Sequence, residues 1–420
     1  MADFIEFLYS RFLLSDGVSI DTRTIEKDDL FFAISGPNFN ANQFAEEALE
    51  KGASYAVVDD EKYVTNERII HTEDCLKALQ NLAAFHRSRF KRPVIGITGS
   101  NGKTTTKELI ARVLGKKYIV HATKGNYNNH IGVPLTLLHI HPQVEIAIIE
   151  MGANHVGEIA SYCEIAKPTH GLITNIGRAH TETFGGIEGV IRGKSELFDF
   201  LRKNDGTVFI NTDDTVLSNM AKRFENPVLY PGEDFKLLSA SPFLKISLNG
   251  NESDTKIVGR YNYPNMAAAV AIGKYFEVPE NEISSALSAY ESDNARSQVI
   301  DKGSISIILD AYNANPDSMK VALENLAEQG RRSIAILGDM NELENPDEQH
   351  REVLDHAKQL GVDLVMTIGD KIGRVSDSDH HYNSKEDLEA ELNKMDLSNS
   401  NVLLKASRSI KLESILNSIS

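Results

Sequence analysis

Val94-Ile95-Gly96-Ile97-Thr98-Gly99-Ser100-Asn101-Gly102-Lys103-Thr104-Thr105-Thr106 decides how this chain is read. An apolar run ends in small, turn-forming residues, and Lys-Thr-Thr then opens the helical pattern Glu108-Leu109-Ile110-Ala111-Arg112-Val113-Leu114. Buried strand, glycine loop and helix, in that order, are the layout of a phosphate-binding loop. The glycines let successive backbone N–H groups turn toward one anion, and the helix N-terminus adds its partial positive charge. Lys103 is placed to reach the outer phosphates, and Thr104 to give its hydroxyl to Mg²⁺. The full Walker pattern has a glycine where Ile97 stands; the nearest glycines are Gly96 and Gly99. Gly102-Lys103-Thr104 after the loop and the strand and helix on its flanks favour a phosphate site over a plain glycine-rich turn, and the departure argues for a particular subclass of P-loop enzyme.

Working outward, strands and helices alternate from Pro93, which favours a mainly parallel sheet covered on both faces. Glu145–Glu150 and Gly171–Ile176 read as its apolar strands, and Met266–Phe276 as an alanine-rich helix. Phe243–Leu248 alternates like a half-exposed strand before the hairpin signal Asn249-Gly250. Upstream, Asp29–Ile34 and Ala53–Val58 read as strands of a small α/β unit, with a helix over Gln43–Gly52. Thr72 is expected to cap the helix carrying Leu76, Leu79 and Leu82, which leads to an Arg92-Pro93 linker. A third alternating unit has strands at Ser304–Asp310, Ser333–Leu337, Leu364–Ile368 and Val402–Leu404. The expected domains are 1–91, 92–292 and 293–420.

A chain of 420 residues is long enough for several such cores. Hydrophobic residues at 41% and charged residues at 25% are ordinary for a soluble globular protein. The net charge of −16 is poor footing for nucleic acid, although a local basic cluster can still hold an anionic small molecule. Cys75 and Cys163 are too few for a disulfide framework. No stretch approaches membrane-spanning length and Met1-Ala2-Asp3-Phe4 lacks a signal-like basic start. A cytoplasmic monomer is the default expectation.

Three further groups stand near the ends of expected strands, where open α/β sheets place ligands. Glu150 ends one strand, His180 follows another, and Lys194 lies in Gly193-Lys194-Ser195-Glu196. Carboxylate and imidazole are sensible divalent-metal ligands, though Mg²⁺ prefers oxygen. A surface acid and a satisfied loop histidine fit the same spacing. Lys194 alone reads as a solvated charge opening an amphipathic helix. Asn126–Pro134 and Asn262-Tyr263-Pro264-Asn265 are rich in amides, which suit sugar, peptide or base edges but serve turns equally well.

Thr98–Thr105 resembles the P-loop of the Mur ligase family, which tolerates the displaced glycine. The likeness covers nearly the whole chain and is nearest to the dipeptide-adding branch. Asn128–Pro134 resembles that branch's substrate loop, and Met151-Gly152-Ala153-Asn154-His155-Val156-Gly157-Glu158-Ile159 its second motif. Asp310–Pro316 and Lys405–Ser409 resemble its third domain. Asp21-Thr22-Arg23 and Asp29-Leu30-Phe31 resemble the segment that holds the uridine end. Ala406 replaces a usual glycine, Thr22 a usual serine, and Asn40-Ala41-Asn42 a usual Asp-Gly-His run.

The resemblance implies a three-domain α/β fold: a small N-terminal domain, a central P-loop domain with a mainly parallel sheet, and a Rossmann-like C-terminal domain. It implies ATP-driven joining of D-alanyl-D-alanine to UDP-N-acetylmuramoyl-tripeptide in peptidoglycan precursor synthesis. Glu150 and His180 would hold Mg²⁺ with Thr104, and a carbamate on Lys194 would hold a second ion. Gly99, Asn101, Gly102, Lys103, Thr104 and Thr105 would cradle ATP. Asn262 and Asn265 would meet its adenine, and Arg296 and Asp310 its phosphates and ribose. Substrate contacts are expected from Thr22, Arg23, Asn128, Asn129, Asn154, His155, Asn313, Asn315 and Ser318. A ligase adding a single charged amino acid should carry an Asp-Asn-Pro-Arg-like motif near its end, and none is seen. The N-terminal unit argues against a folylpolyglutamate synthase, and the retained Lys103, Glu150, His180 and Lys194 argue against a non-catalytic nucleotide-binding module.

Overall fold

A computed structural model describes residues 2–377 and 379–419. The first sheet is parallel, in order β1 (Gly17–Ser19), β2 (Asp29–Phe32), β3 (Tyr55–Val58) and β4 (Ile69–His71). The helix Cys75–Arg89 follows, and its N-cap is Asp74, not Thr72: the Asp74 carboxylate accepts the Lys77 amide at 2.8 Å. The segment expected as one helix over Gln43–Gly52 splits into a 3₁₀ turn, Ala41–Phe44, and a helix, Ala45–Glu50. Leu79 and Leu82 join Leu30 and Phe32 to Val94, Ala147 and Ile149, so one apolar core runs from the first sheet into the second.

The second sheet has six parallel strands: β5 (Val94–Thr98), β6 (Val120–Ala122), β7 (Ile146–Glu150), β8 (His170–Ile173), β9 (Thr207–Asn211) and β10 (Val228–Tyr230). Their spatial order is β10-β9-β8-β5-β7-β6. All residues of β5 and β7 are buried, because helices cover both faces. The chain passes from β5 toward one edge and then crosses back to β8, so the loop after β5 lies at the topological switch point, where such sheets bind ligands. The strand expected to reach Ile176 stops at Ile173, because Thr174 and Asn175 turn to support the P-loop. The helix Ile187–Lys203 lies close on the sheet. A Cβ on Gly96 would meet Leu197 at 3.0 Å, and one on Gly171 would meet Leu201 at 2.8 Å.

A small antiparallel sheet, β11 (Phe235–Ser239), β12 (Lys245–Leu248) and β13 (Asn251–Asp254), contains the expected hairpin. The third large sheet comprises β14 (Gln298–Lys302), β15 (Ile305–Asp310), β16 (Arg332–Gly338), β17 (Leu364–Ile368), β18 (His381–Tyr382) and β19 (Ser400–Lys405). Its order is β14-β15-β19-β16-β17-β18, parallel except for β14 at the edge. Among the described residues no helix is long and apolar enough to cross a membrane.

Candidate active site

The P-loop owes its shape to two glycines in left-handed backbone. Gly99 has φ 145° and Gly102 φ 76°, and a Cβ on Gly99 would lie 2.0 Å from Thr174 Oγ1. Thr174 Oγ1 donates to Asn101 O at 2.6 Å, and the Asn101 amide donates to Asn175 Oδ1 at 2.9 Å. Lys103 opens the helix Lys103–Leu114, and its ammonium bridges Gly99 O at 2.8 Å and Ser100 O at 3.2 Å. Burial pushes this ammonium down to about 8, opposed by Glu150 and assisted by Arg296.

The register of β5 on β7 sets Ile97 opposite Glu150, which brings that carboxylate under the loop. Thr104 Oγ1 donates to Glu150 Oε2 at 3.1 Å and Asn128 Nδ2 to Oε1 at 2.8 Å. Lys107, which sequence reasoning passed over, stands 3.4 Å from Oε2. Asn262 and Asn265 are buried where the helix Tyr263–Tyr275 begins. Thr106 Oγ1 donates to Asn265 Oδ1 at 3.0 Å, so part of the amide cluster braces the P-loop helix.

From the third sheet, Asp310 and Lys405 are register partners and form an ion pair at 2.5 Å. The Arg296 guanidinium lies 3.7 Å from the Tyr312 ring centroid. Asn315 and Ser318 form the capping box of the helix Pro316–Ala327, and Asn315 Nδ2 also reaches Asn101 Oδ1 at 2.7 Å. Asn313 Oδ1 accepts the Ala314 amide. Two more links join the second and third units, and another ties the P-loop helix to the connector between them. Arg178 Nε and Nη2 each lie 2.9 Å from Asp317 Oδ1, and Nη1 lies 3.0 Å from Glu352 Oε2. His180 Nδ1 is 2.5 Å from Glu342 Oε2, which lowers the Glu342 carboxyl. Glu108, on the P-loop helix, accepts Tyr290 Oη at 2.7 Å and Asn294 Nδ2 at 2.8 Å. Those contacts fix the start of a turn in which Ala295 (φ 55°) and Ser297 (φ 51°) flank Arg296 in left-handed backbone.

The second and third units together line one cavity of about 650 Å³. Asn101, Gly102, Lys103, Thr104, Thr105, Asn128, Asn129, Glu150, Asn154 and His180 line it from the second sheet, with Asn262 and Asn265. Arg296, Asp310, Asn313, Asn315 and Ser318 line it from the third. Gly99 lies behind the lining, its carbonyl on Lys103. Asn129 Oδ1 accepts the Gly132 amide at 2.8 Å where the helix Gly132–Leu138 begins, and Glu158 ties down the amides of Asn154 and His155. His155 itself is exposed.

Lys194 corrects an expectation. It is not a solvated charge opening a helix but a buried residue within Ile187–Lys203. Its ammonium donates to Ala153 O at 3.3 Å and stands 5.2 Å from the Phe184 centroid. Burial drives it well below the ordinary lysine range, with the charge of Lys103 acting in the same direction. Thr22 and Arg23 lie outside the cavity. Arg23 is 84% exposed and pairs with Asp21, whose carboxyl it holds at about 2. Asn42, in the departing Asn-Ala-Asn run, is buried and bonded to Asp59 on both sides of its amide.

Residues 15–87, 97–273 and 295–408 match, in turn, the Mur ligase family catalytic domain, the Mur ligase middle domain, and the Mur ligase glutamate ligase domain. A UDP-N-acetylmuramoyl-tripeptide–D-alanyl-D-alanine ligase of Bacillus subtilis is 36% identical, over 96% of this chain and 93% of that protein. The chain belongs to the Mur ligase family. The Escherichia coli ligase of the same name is 31% identical to this Mur ligase, over 96% of this chain and 93% of its own. The crystal structure of MurF from Thermotoga maritima in complex with ADP superposes with a TM-score of 0.85 at 26% identity. That superposition covers 97% of each chain.

Proposed function

We propose that this Mur ligase joins D-alanyl-D-alanine to UDP-N-acetylmuramoyl-tripeptide with ATP, giving the pentapeptide, ADP and phosphate. One observation carries the reading: a P-loop and the carboxyl ends of a second α/β sheet face each other across a single cavity. The names of relatives matched over nearly the whole chain supply the substrates. The domains proposed are 1–91 for the UDP substrate, 92–292 for ATP and 293–420 for the dipeptide.

The tripeptide carboxylate attacks the γ-phosphate in line, giving an acyl phosphate and ADP. The dipeptide amine attacks that carbonyl, loses a proton, and phosphate leaves from the tetrahedral intermediate. The chain's part is mostly positioning and charge neutralisation. Lys103 exchanges two loop carbonyls for the outer phosphates, and the amides of Gly102 to Thr105 bind them at the helix N-terminus. Arg296 adds a second positive charge from the third sheet. The oxygens of Thr104 and Glu150, in mutual contact, fit Mg²⁺, which takes few protein ligands and keeps phosphate oxygens and water. Bound Mg²⁺ would offset the negative charge of the transferring phosphoryl group. His180 would join those ligands by leaving Glu342.

Carbamylation needs a neutral amine, which burial favours at Lys194. Nζ of the neutral amine adds to CO₂: one N–C bond forms, one C=O π bond opens onto oxygen and one N–H proton leaves to solvent, so an amine becomes an anionic oxygen donor. For the amine substrate, the amides of Asn313 and Asn315 and the Ser318 hydroxyl are proposed to face the dipeptide. Thr22 and Arg23 are proposed for the uridine end.

The test is a competition between D-alanyl-D-alanine, D-alanine, L-lysine and diaminopimelate for UDP-muramoyl-tripeptide, with products weighed by mass spectrometry. Leaving site polar groups unpaired costs roughly 1–3 kcal/mol each, so single amino acids should lose at least about tenfold in kcat/KM. Equal use of a single amino acid overturns the assignment.

A further inference from the structure

We infer that Lys107 is a built-in counter-cation for Glu150, a positioning residue that holds this carboxylate in place until a divalent cation arrives. The inference rests on the proposed role of Glu150 beside the metal. Thr104 and Lys107 are three residues apart on the P-loop helix and therefore share a face, and both meet Glu150. The two side chains of the ion pair are 4% and 1% exposed, with 3.4 Å between Nζ and Oε2. A carboxylate this deeply buried would be several kcal/mol costly without a partner. Thr104 Oγ1 and Asn128 Nδ2 are neutral donors, so they orient the carboxylate without cancelling its charge. Lys107 supplies the charge. A carboxylate offers about four lone-pair positions, so these three partners leave room for one more ligand.

The consequence is antagonism. A divalent cation approaching Glu150 meets an ammonium already there, so Lys107 weakens metal affinity while keeping the metal-free site ordered. Replacing Lys107 with methionine preserves most of the side-chain volume and removes the charge. Without Mg²⁺, Lys107→Met should have a lower Tm than the parent chain. With a non-hydrolysable ATP analogue held constant, Mg²⁺ should raise the Tm of Lys107→Met more than that of the parent. The Mg²⁺ midpoint of that rise should fall at least about tenfold, since a unit charge a few ångströms away has been removed. Lys107→Arg keeps the charge and should restore the parental midpoint.

The neutral pair Lys107→Met/Glu150→Gln separates counter-charge from packing. It should recover most of the metal-free Tm lost in Lys107→Met and lose the enhanced Mg²⁺ response. An unchanged Mg²⁺ midpoint in Lys107→Met overturns the inference, and so does a double variant as unstable as the single one. If Lys107→Met does not fold, the double variant decides alone: a folded, near-parental protein supports the counter-charge and an unfolded one overturns it. Glu150→Gln in the parent chain tests the metal reading separately, because an unaffected Mg²⁺ midpoint there removes Glu150 from the metal, not Lys107 from Glu150.

Discussion

Removing the Arg178 side chain should cost activity without touching the phosphate loop. Its guanidinium links the loop after β8 to two helices of the third unit, through Asp317 and Glu352. All three side chains are roughly one-third exposed, so solvent screens each pair, and such pairs are usually worth about 0.2–1 kcal/mol. Two contacts on Asp317 plus one on Glu352 set the total near the upper end, about 1–2 kcal/mol. Some of the network survives in Arg178→Ala: the residue-178 amide still donates to Asp317 Oδ2 at 2.7 Å, and Lys320 still pairs with Glu352 at 2.5 Å. A loss of 1–2 kcal/mol shifts the equilibrium between apposed and separated units by a factor of about 5–30. If apposition must precede amine attack, kcat/KM for the dipeptide should fall by about that factor. Steady-state phosphate release, measured at rising NaCl, is the assay. The parent should lose activity with salt and Arg178→Ala much less, because the screened pairs are already gone. Parental kcat/KM with a parental salt slope in a folded Arg178→Ala would refute the reasoning.

Lys103→Ala should fold normally yet lose at least about 3 kcal/mol of transition-state stabilisation, or on the order of 10²-fold in kcat, as single electrostatic donors do; near-parental turnover in a folded variant removes Lys103 from the reaction. Because free Lys103 is held at about 8 by burial, it is protonated below that pH and neutral above it. A bound polyphosphate favours the ammonium, so nucleotide binding should weaken as pH rises through about 8 and take up a proton there, measurable by calorimetry in buffers of different ionisation heat. Lys194→Ala should be nearly inactive and partly restored by acetate, which supplies the missing oxygens; an intact-mass measurement without the CO₂ adduct, together with full activity, would exclude the carbamate. The strong preference for the dipeptide over single amino acids completes the set.

Local signals were legible and long-range charge pairing was not. The P-loop and β5 could be read because a continuous apolar run, glycines and a helix start lie within one short segment, and β7 because it is itself an unbroken apolar run. Asp310 and Lys405 were each placed near strand ends, but their pairing depends on β15 lying beside β19, which no local pattern encodes. Lys194 and Lys107 were missed as buried groups because a charged helical residue is normally solvated. At Lys194 the burial depends on Phe184 packing beside Gly193, where a Cβ would lie 2.5 Å from the ring. Thr72 was the expected cap, and the geometry of the Lys77 amide gives that place to Asp74 instead. The end of β8 was overrun because Thr174-Asn175-Ile176 continues the apolar rhythm while its polar members serve the neighbouring loop.

The turn from Tyr290 to Ser297 sets a rule for building chimaeras within this family. Its two left-handed residues carry side chains, at roughly 1–2 kcal/mol each, and a contact with the P-loop helix through Glu108 holds one end of it. A recombination point placed after Asn294 would join this connector to a foreign third unit without the backbone it was shaped for. A point placed before Tyr290 would import a connector whose anchor must find a carboxylate at position 108. Exchanging the third unit therefore requires carrying residues 290–297 and Glu108 as one block, although 182 positions of sequence separate the Glu108–Tyr290 pair.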